Sequence, residues 1–421
     1  MRRAQQSNTE KVQNGMDAKE QKHNTAHAIF AVDTRHIGVL DGARALGVLC
    51  VLWFHFWQQT WLMPTYQTPF LAWAGIKQIN PDVFRRVGYL CVDLMLLLSA
   101  FVLYLPYARN RFCGTPVDPV KIFYKKRFAR IVPSYLLAVI IMYTVALVQG
   151  SYQGRMAFAL KDLITHLTFT QMAFADTYLF TAITAVMWTV CIEVAFYLIF
   201  PLLARAFHRA PLLVYATMVL FGVLFTFAIA PVIGEPRVTV NRFLTFLPVF
   251  ANGMMAAHLY VWYAEKVRHK AIPSIIGTVA AFAACWLIVR LFKACAASGN
   301  ASNQQVWQMK NRIWLSLTFT VFLLGMSISA KPIRKLLDNR VLAAIAAVSY
   351  NLYLWHQWLM VKLCVSFGAK SGADIAKAGA GMQWTVNLMG LIIALAVAAI
   401  ITYGFEKPVS RLILNTKEEK R

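Results

Sequence analysis

Apolar runs of membrane-span length, separated by short polar connections, repeat from residue 37 to residue 414. A helix that crosses the hydrocarbon core needs about 20 mostly apolar residues, and about ten runs meet that length. They lie near 37–60, 87–107, 130–149, 183–206, 211–233, 242–263, 271–292, 312–330, 341–367 and 384–405. The pattern predicts an all-α, polytopic integral membrane protein with about ten transmembrane helices. The stretch 156–175 reads as an interfacial helix on one side of the bilayer. Residues 1–36 break the pattern: "TEKVQNGMDAKEQKHNTA" is polar and mixed in charge, without the apolar core of a signal peptide. The domain plan is therefore a disordered cytosolic tail at 1–36, a transmembrane domain at 37–414 and a short cytosolic tail at 415–421.

Composition sharpens this picture. Of the 421 residues, 59% are hydrophobic and 14% are charged, against roughly 25% charged in a soluble domain. The formal net charge of +24 raises the question of nucleic acid. The basic residues sit in short loops between apolar runs, however, which is the signature of membrane topology. Membrane lipid is thus an expected partner and nucleic acid is not. With the N-terminus in the cytosol, inside segments carry about 27 Lys and Arg and outside loops about 13, an excess that puts both termini inside. This is the topology of a multi-pass plasma-membrane protein, in a bacterium the inner membrane. The seven cysteines are dispersed, mostly within apolar runs, and form neither a disulfide framework nor a metal motif.

Ionisable groups inside spans are costly and face a cavity or a partner. The first span, "LDGARALGVLCVLWFH", carries three. Arg44 and His55 are eleven residues apart, which on a helix puts them on one face to within roughly 20° and separates them by roughly 16 Å along the axis. Asp41 and Arg44, three apart, are spaced to pair. Asp93 lies near the outer end of the second span, Glu193 near the middle of the fourth, and His356 in the outer half of the ninth. Two imidazoles and two carboxylates at similar depth could make an acid–base site, with a carboxylate orienting the imidazole. The plainer reading of each is a hydrogen bond that fixes helix packing. No spacing supports a metal site.

On the inner side, Arg127 and Arg130 open the third span, and Pro133 is expected to bend or end the helix there. A guanidinium grips two oxygens of a phosphate at once. The alternative is ordinary positive-inside topology. Taken together, a phosphate-bearing donor held by arginine at the cytosolic face and a histidine site deeper in the membrane describe either a transferase or a transporter. The expected halves of a transporter repeat are not visible.

At these residues the sequence resembles the membrane-bound acyltransferase-3 family, over about residues 37–414. "LDGARALGVLCVLWFH" resembles the first-helix signature, with Arg44 and His55. "CVDLMLLLSAFVL" resembles the second-helix segment, and "FYKKRFARIVPSYLL" the basic segment with its Arg127-x-x-Arg130 pair. "MWTVCIEVAFYLIFPLL" resembles the family's segment with Trp188, Glu193, Phe196 and Tyr197. "YNLYLWHQ" and "FEKPVSRL" resemble the late segments. Two departures stand out: Cys91 and Ala100 replace glycines of the second-helix segment. The residues also hold no extracytoplasmic esterase-like domain of the kind some relatives carry.

The resemblance implies transfer of an acyl group, acetyl by default, from cytosolic acyl-coenzyme A to a hydroxyl. The acceptor would be a glycan or lipid-linked sugar of the cell envelope, or alternatively a small natural product. Arg44, Arg127 and Arg130 would bind the donor phosphates. His55 would act as general base, Glu193 or Asp93 would orient it, and His356 would bind the acceptor or move a proton. Trp53, Trp188 and Trp355 would line a channel or simply pack. No permanently bound cofactor or metal is implied, and envelope-polysaccharide assembly proteins are conceivable partners. A flippase of an anionic conjugate, or a scaffold whose charges only fix packing, are the competing classes.

Overall fold

A computed structural model describes residues 37–414 apart from 63–65, 76, 80–81, 235 and 268–270. Both expected tails, 1–36 and 415–421, lie outside the described residues. The architecture is all-α. In hydrocarbon no water satisfies the peptide groups, so each crossing segment closes its own hydrogen bonds as a helix. The long helices are α1 Gly38–Thr60, α2 Cys91–Cys113, α3 Val120–Val148, then, after the shorter α4 Met156–Leu167, α5 Trp188–Arg209, α6 Pro211–Leu224, α7 Leu247–Lys266, α8 Ala271–Ala297, α9 Ala301–Ile328, α10 Arg340–Ser366 and α11 Ala380–Ile401. A π-helical turn carries α6 on through Phe225–Ile229, and another carries α11 on through Thr402–Glu406. Two two-residue strands, Tyr66–Gln67 and Gln78–Ile79, pair antiparallel between α1 and α2.

Among the described residues, nine helices are long and apolar enough to cross a membrane. The tenth expected span, α10, is equally long at 27 residues, but its middle carries Ser349, Tyr350, Asn351, Tyr353, His356 and Gln357. It packs against α1 and α11, and those polar side chains point into the protein rather than into lipid. The helix expected to bend or end at Pro133 runs on to Val148. Membrane helices tolerate proline where neighbours restore the lost bonding. Pro133 leaves the Ala129 carbonyl without its helical donor, and two residues on the Tyr350 hydroxyl of α10 donates to the Ile131 carbonyl at 3.0 Å, which ties α3 to α10 beside the proline.

The bundle has an inside and an outside. The most apolar windows of the α2 and α7 spans are 78% buried, whereas those of the α6, α8 and α11 spans are 22% buried. The former make the centre and the latter face lipid. The α2–α7 contact is close because Gly253 has no side chain. A Cβ there would run into the Leu97 carbonyl and the Ala100 Cβ. So Ala100, expected from the family resemblance to stand at a glycine position, is accommodated by a glycine on the opposite helix.

Of the stretch 156–175, expected to be one interfacial helix, α4 takes up Met156–Leu167. It turns Met156, Leu160 and Ile164 outward and buries Asp162, Thr165 and His166. The Asp162 carboxylate accepts hydrogen bonds from the Tyr152 hydroxyl at 2.6 Å and the Thr181 hydroxyl at 2.9 Å. This fastens the segment around α4 and leaves an apolar face for the bilayer. The seven cysteines are all free thiols.

Replacing Gly253 by valine is expected to overpack the α2–α7 contact and cost about 1–3 kcal/mol. Thermal unfolding in detergent checks this against Gly404→Val, where the added Cβ meets nothing within 4 Å. Equal effects of the two would contradict the packing assignment.

Candidate active site

Two pockets enter the bundle from opposite ends of α1. The first holds about 820 Å³ of empty space, open mouth included. Arg44 of α1, Arg127 and Arg130 of α3 and Glu193 of α5 line it, so the first span and the basic segment converge as their spacing suggested. Arg44 lies within electrostatic reach of Arg130, Asp41 and Glu193. The Arg127 guanidinium stands 5.7 Å from the Phe123 ring and 5.8 Å from the Tyr197 ring, and its Nε is buried without a hydrogen-bond partner. Three guanidinium groups facing one carboxylate leave this pocket with an excess of positive charge. That suits a phosphorylated ligand.

The second pocket is larger, about 1450 Å³ of empty space with its mouth. His55 lines it, together with aromatic rings such as Trp57 and Trp188 and amide side chains such as Gln58, Asn241 and Gln304. Helical spacing explains the split. Arg44 and His55 share a face of α1, but three turns of rise put them in different pockets.

His55 Nδ1 lies 2.9 Å from Gln58 Oε1, one turn further along α1, and 3.2 Å from the Gln357 amide nitrogen of α10. These contacts demand opposite tautomers. A carbonyl oxygen only accepts, so Gln58 requires a proton on Nδ1 and leaves the Nε2 lone pair free. An amide nitrogen only donates, so Gln357 in that orientation requires the reverse. Gln357 is itself tied to the Thr184 hydroxyl at 3.3 Å. His356 sits beside His55 with ring centroids 5.1 Å apart. Its Nδ1 donates to the Tyr353 carbonyl at 2.7 Å, and its Nε2 is buried without a partner. The two imidazoles are therefore brought together at one level.

The carboxylates are not where an imidazole would use them. Glu193 accepts from the Ser99 hydroxyl at 2.7 Å and from the Tyr197 hydroxyl, in the arginine pocket. Asp93 is fully buried against Arg312 of α9, with Arg312 Nε 3.2 Å from its Oδ2. Arg312 also donates to the Val240 carbonyl at 2.6 Å and packs over Phe246, 3.9 Å from the ring centroid. The expectation that a carboxylate orients His55 is thus corrected. Glutamine amides stand at Nδ1, and Asp93 is half of an internal ion pair. Of the three tryptophans, Trp188 lines the histidine pocket, while Trp53 packs near Trp384 and Trp355 near Trp358.

Sequence reading missed Gln58, Gln357 and Arg312. Each carried a signal: an amide one turn from His55, an amide directly after His356, and a lone arginine entering an apolar run.

The buried pair makes a distinct prediction. Asp93→Ala leaves a buried charge uncompensated and is expected to cost about 3–5 kcal/mol, whereas the double change Asp93→Leu with Arg312→Met recovers most of it. Unfolding in detergent reads both. An Asp93→Ala protein as stable as wild type, yet inactive, would instead put Asp93 in the chemistry.

A family model described as an acyltransferase domain, of the acyltransferase-3 type, matches residues 37–403. A protein of Acidianus two-tailed virus, provisionally named an acetyltransferase, is 24% identical over 301 residues, covering 71% of this chain and 81% of its own length. No solved structure matches the chain significantly.

Proposed function

We propose that this chain, which belongs to the acyltransferase-3 family of acyltransferases, moves an acyl group from acyl-coenzyme A to a hydroxyl of an envelope glycan. The observation that carries this reading is the division of one interior into an arginine-lined pocket and a histidine-lined pocket at opposite ends of α1. A transferase with a phosphorylated donor and a hydroxyl acceptor needs both. The provisional name of the viral relative favours acetyl as the group.

Donor phosphates bind at Arg44, Arg127 and Arg130, on the side that the Lys and Arg distribution marks as cytosolic. The acyl end points along α1 toward His55. Gln58 holds the proton on Nδ1, so Nε2 is the base. The acceptor hydroxyl gives its proton to Nε2 while its oxygen attacks the thioester carbonyl carbon. The tetrahedral intermediate then collapses, the C–S bond breaks, and the imidazolium returns the proton to the departing thiolate. The ester and free coenzyme A are the products. His356, with an unpartnered Nε2, accepts a hydrogen bond from the acceptor and keeps its hydroxyl near His55. Glu193 balances the arginine charge and orders the pocket through Ser99 and Tyr197.

Mass spectrometry of envelope glycans tests the reading. Cells lacking the gene are compared with cells carrying wild type or a well-expressed His55→Ala variant. Wild type is expected to add an acyl mass whose increment names the group. His55→Ala is expected to lose at least about 100-fold of that product, the contribution of a general base. Glycans identical in all three strains would reject a glycan acceptor. Transport of a conjugate without acyl transfer would favour a flippase, and loss of the folded protein in His55→Ala would favour a scaffold.

A further inference from the structure

Two side chains line both pockets: Val92 of α2 and Tyr353 of α10. They stand between the arginine side and the histidine side. Both are nearly closed off, each 5% exposed. The Tyr353 hydroxyl donates to the Val186 carbonyl at 3.2 Å, and its own carbonyl takes the His356 Nδ1 proton at 2.7 Å. Val92 immediately precedes Asp93, whose ion pair with Arg312 fixes the rotation of α2 at that level. Val92 thus contributes an isopropyl group, and Tyr353 a tethered ring, to the lining of both pockets.

We infer that Val92 and Tyr353 form a sieve that selects the donor's acyl group by cross-section and charge. This rests on the acyltransferase reading above. The acyl end must enter from the arginine side and bring its carbonyl within reach of His55, so it passes between these two side chains. A small, unbranched, uncharged group such as acetyl passes. A branched group such as isobutyryl meets the Val92 methyls. A succinyl group must strip water from its carboxylate to pass Val92 and Tyr353, neither of which carries a charge to replace it. The donor class is therefore a short, neutral, unbranched acyl thioester, with Val92 and Tyr353 as specificity residues.

The test offers an equimolar mixture of acetyl-, isobutyryl- and succinyl-coenzyme A to membrane vesicles from cells that lack the gene and express each variant. These membranes supply the native acceptor. Loss of each thioester is followed by mass spectrometry, and the loss seen with His55→Ala is subtracted. Wild type is expected to use acetyl over either competitor by at least about tenfold, the discrimination that an extra methylene earns in an apolar pocket. Val92→Ala is expected to raise the isobutyryl-to-acetyl ratio by about tenfold and to leave succinyl excluded. Val92→Ile, which narrows the gap while keeping an aliphatic core residue, is expected to move that ratio the other way. A ratio is insensitive to how much folded protein each variant yields. Wild type that uses isobutyryl or succinyl as readily as acetyl overturns the sieve, as do ratios unchanged in both Val92 variants. Wild type that consumes none of the three above the His55→Ala background overturns the enzyme reading itself.

Discussion

Hydrocarbon solvates neither a guanidinium nor a carboxylate, so every ionisable group carried into a span must find a partner or a cavity. This constraint arranges the molecule. Asp93 and Arg312 satisfy it as a pair and, in doing so, lock α2 to α9. Arg44, Arg127, Arg130 and Glu193 satisfy it by sharing a polar pocket. His55 and His356 satisfy it as neighbouring rings held by amides and carbonyls. The helices that carry these groups, α1, α2, α3, α5, α9 and α10, surround the interior, while α6, α8 and α11 lend mainly an apolar face to the lipid. The weakly apolar α10 belongs among the former because its polar side chains have inward partners.

The two carboxylates show why burial alone does not identify a catalytic acid or base. Both lie within spans among apolar residues. One is consumed by an arginine on a helix more than 200 residues away in sequence, with Gln308 at its other oxygen. The other keeps hydroxyl partners and stays beside three guanidinium groups in an open pocket. At His55 Nδ1 stand glutamine amides, not a carboxylate. An amide holds a tautomer without adding charge, which spares the desolvation cost of a second ion in the membrane.

Much of the frame was legible in the sequence because hydrophobic length and helical periodicity are local. The runs of apolar residues gave the spans, and the eleven-residue spacing put Arg44 and His55 on one face. The stretch after residue 155 gave a short helix, α4. What escaped depended on contacts between distant segments. Nothing near Asp93 in sequence reveals Arg312. Nothing near Pro133 reveals the Tyr350 hydroxyl that supports α3 there. The fit of Ala100 against α2's neighbour is explained only by Gly253 on α7. The pairing of His55 with Gln357 likewise joins residues 302 positions apart.

Entry of the donor by the arginine pocket and of the acceptor by the histidine pocket, as proposed above, makes the reaction sided. Sealed membrane vesicles of both orientations, given impermeant labelled acetyl-coenzyme A only on the outside, test this most directly. Orientation is scored independently by protease access to the loop between α2 and α3. Label is expected in the acceptor only where the face bearing Lys125 to Arg130 is turned toward the donor. Equal labelling in both orientations, or labelling only where the His55 mouth faces the donor, would contradict the division of the interior proposed for this protein.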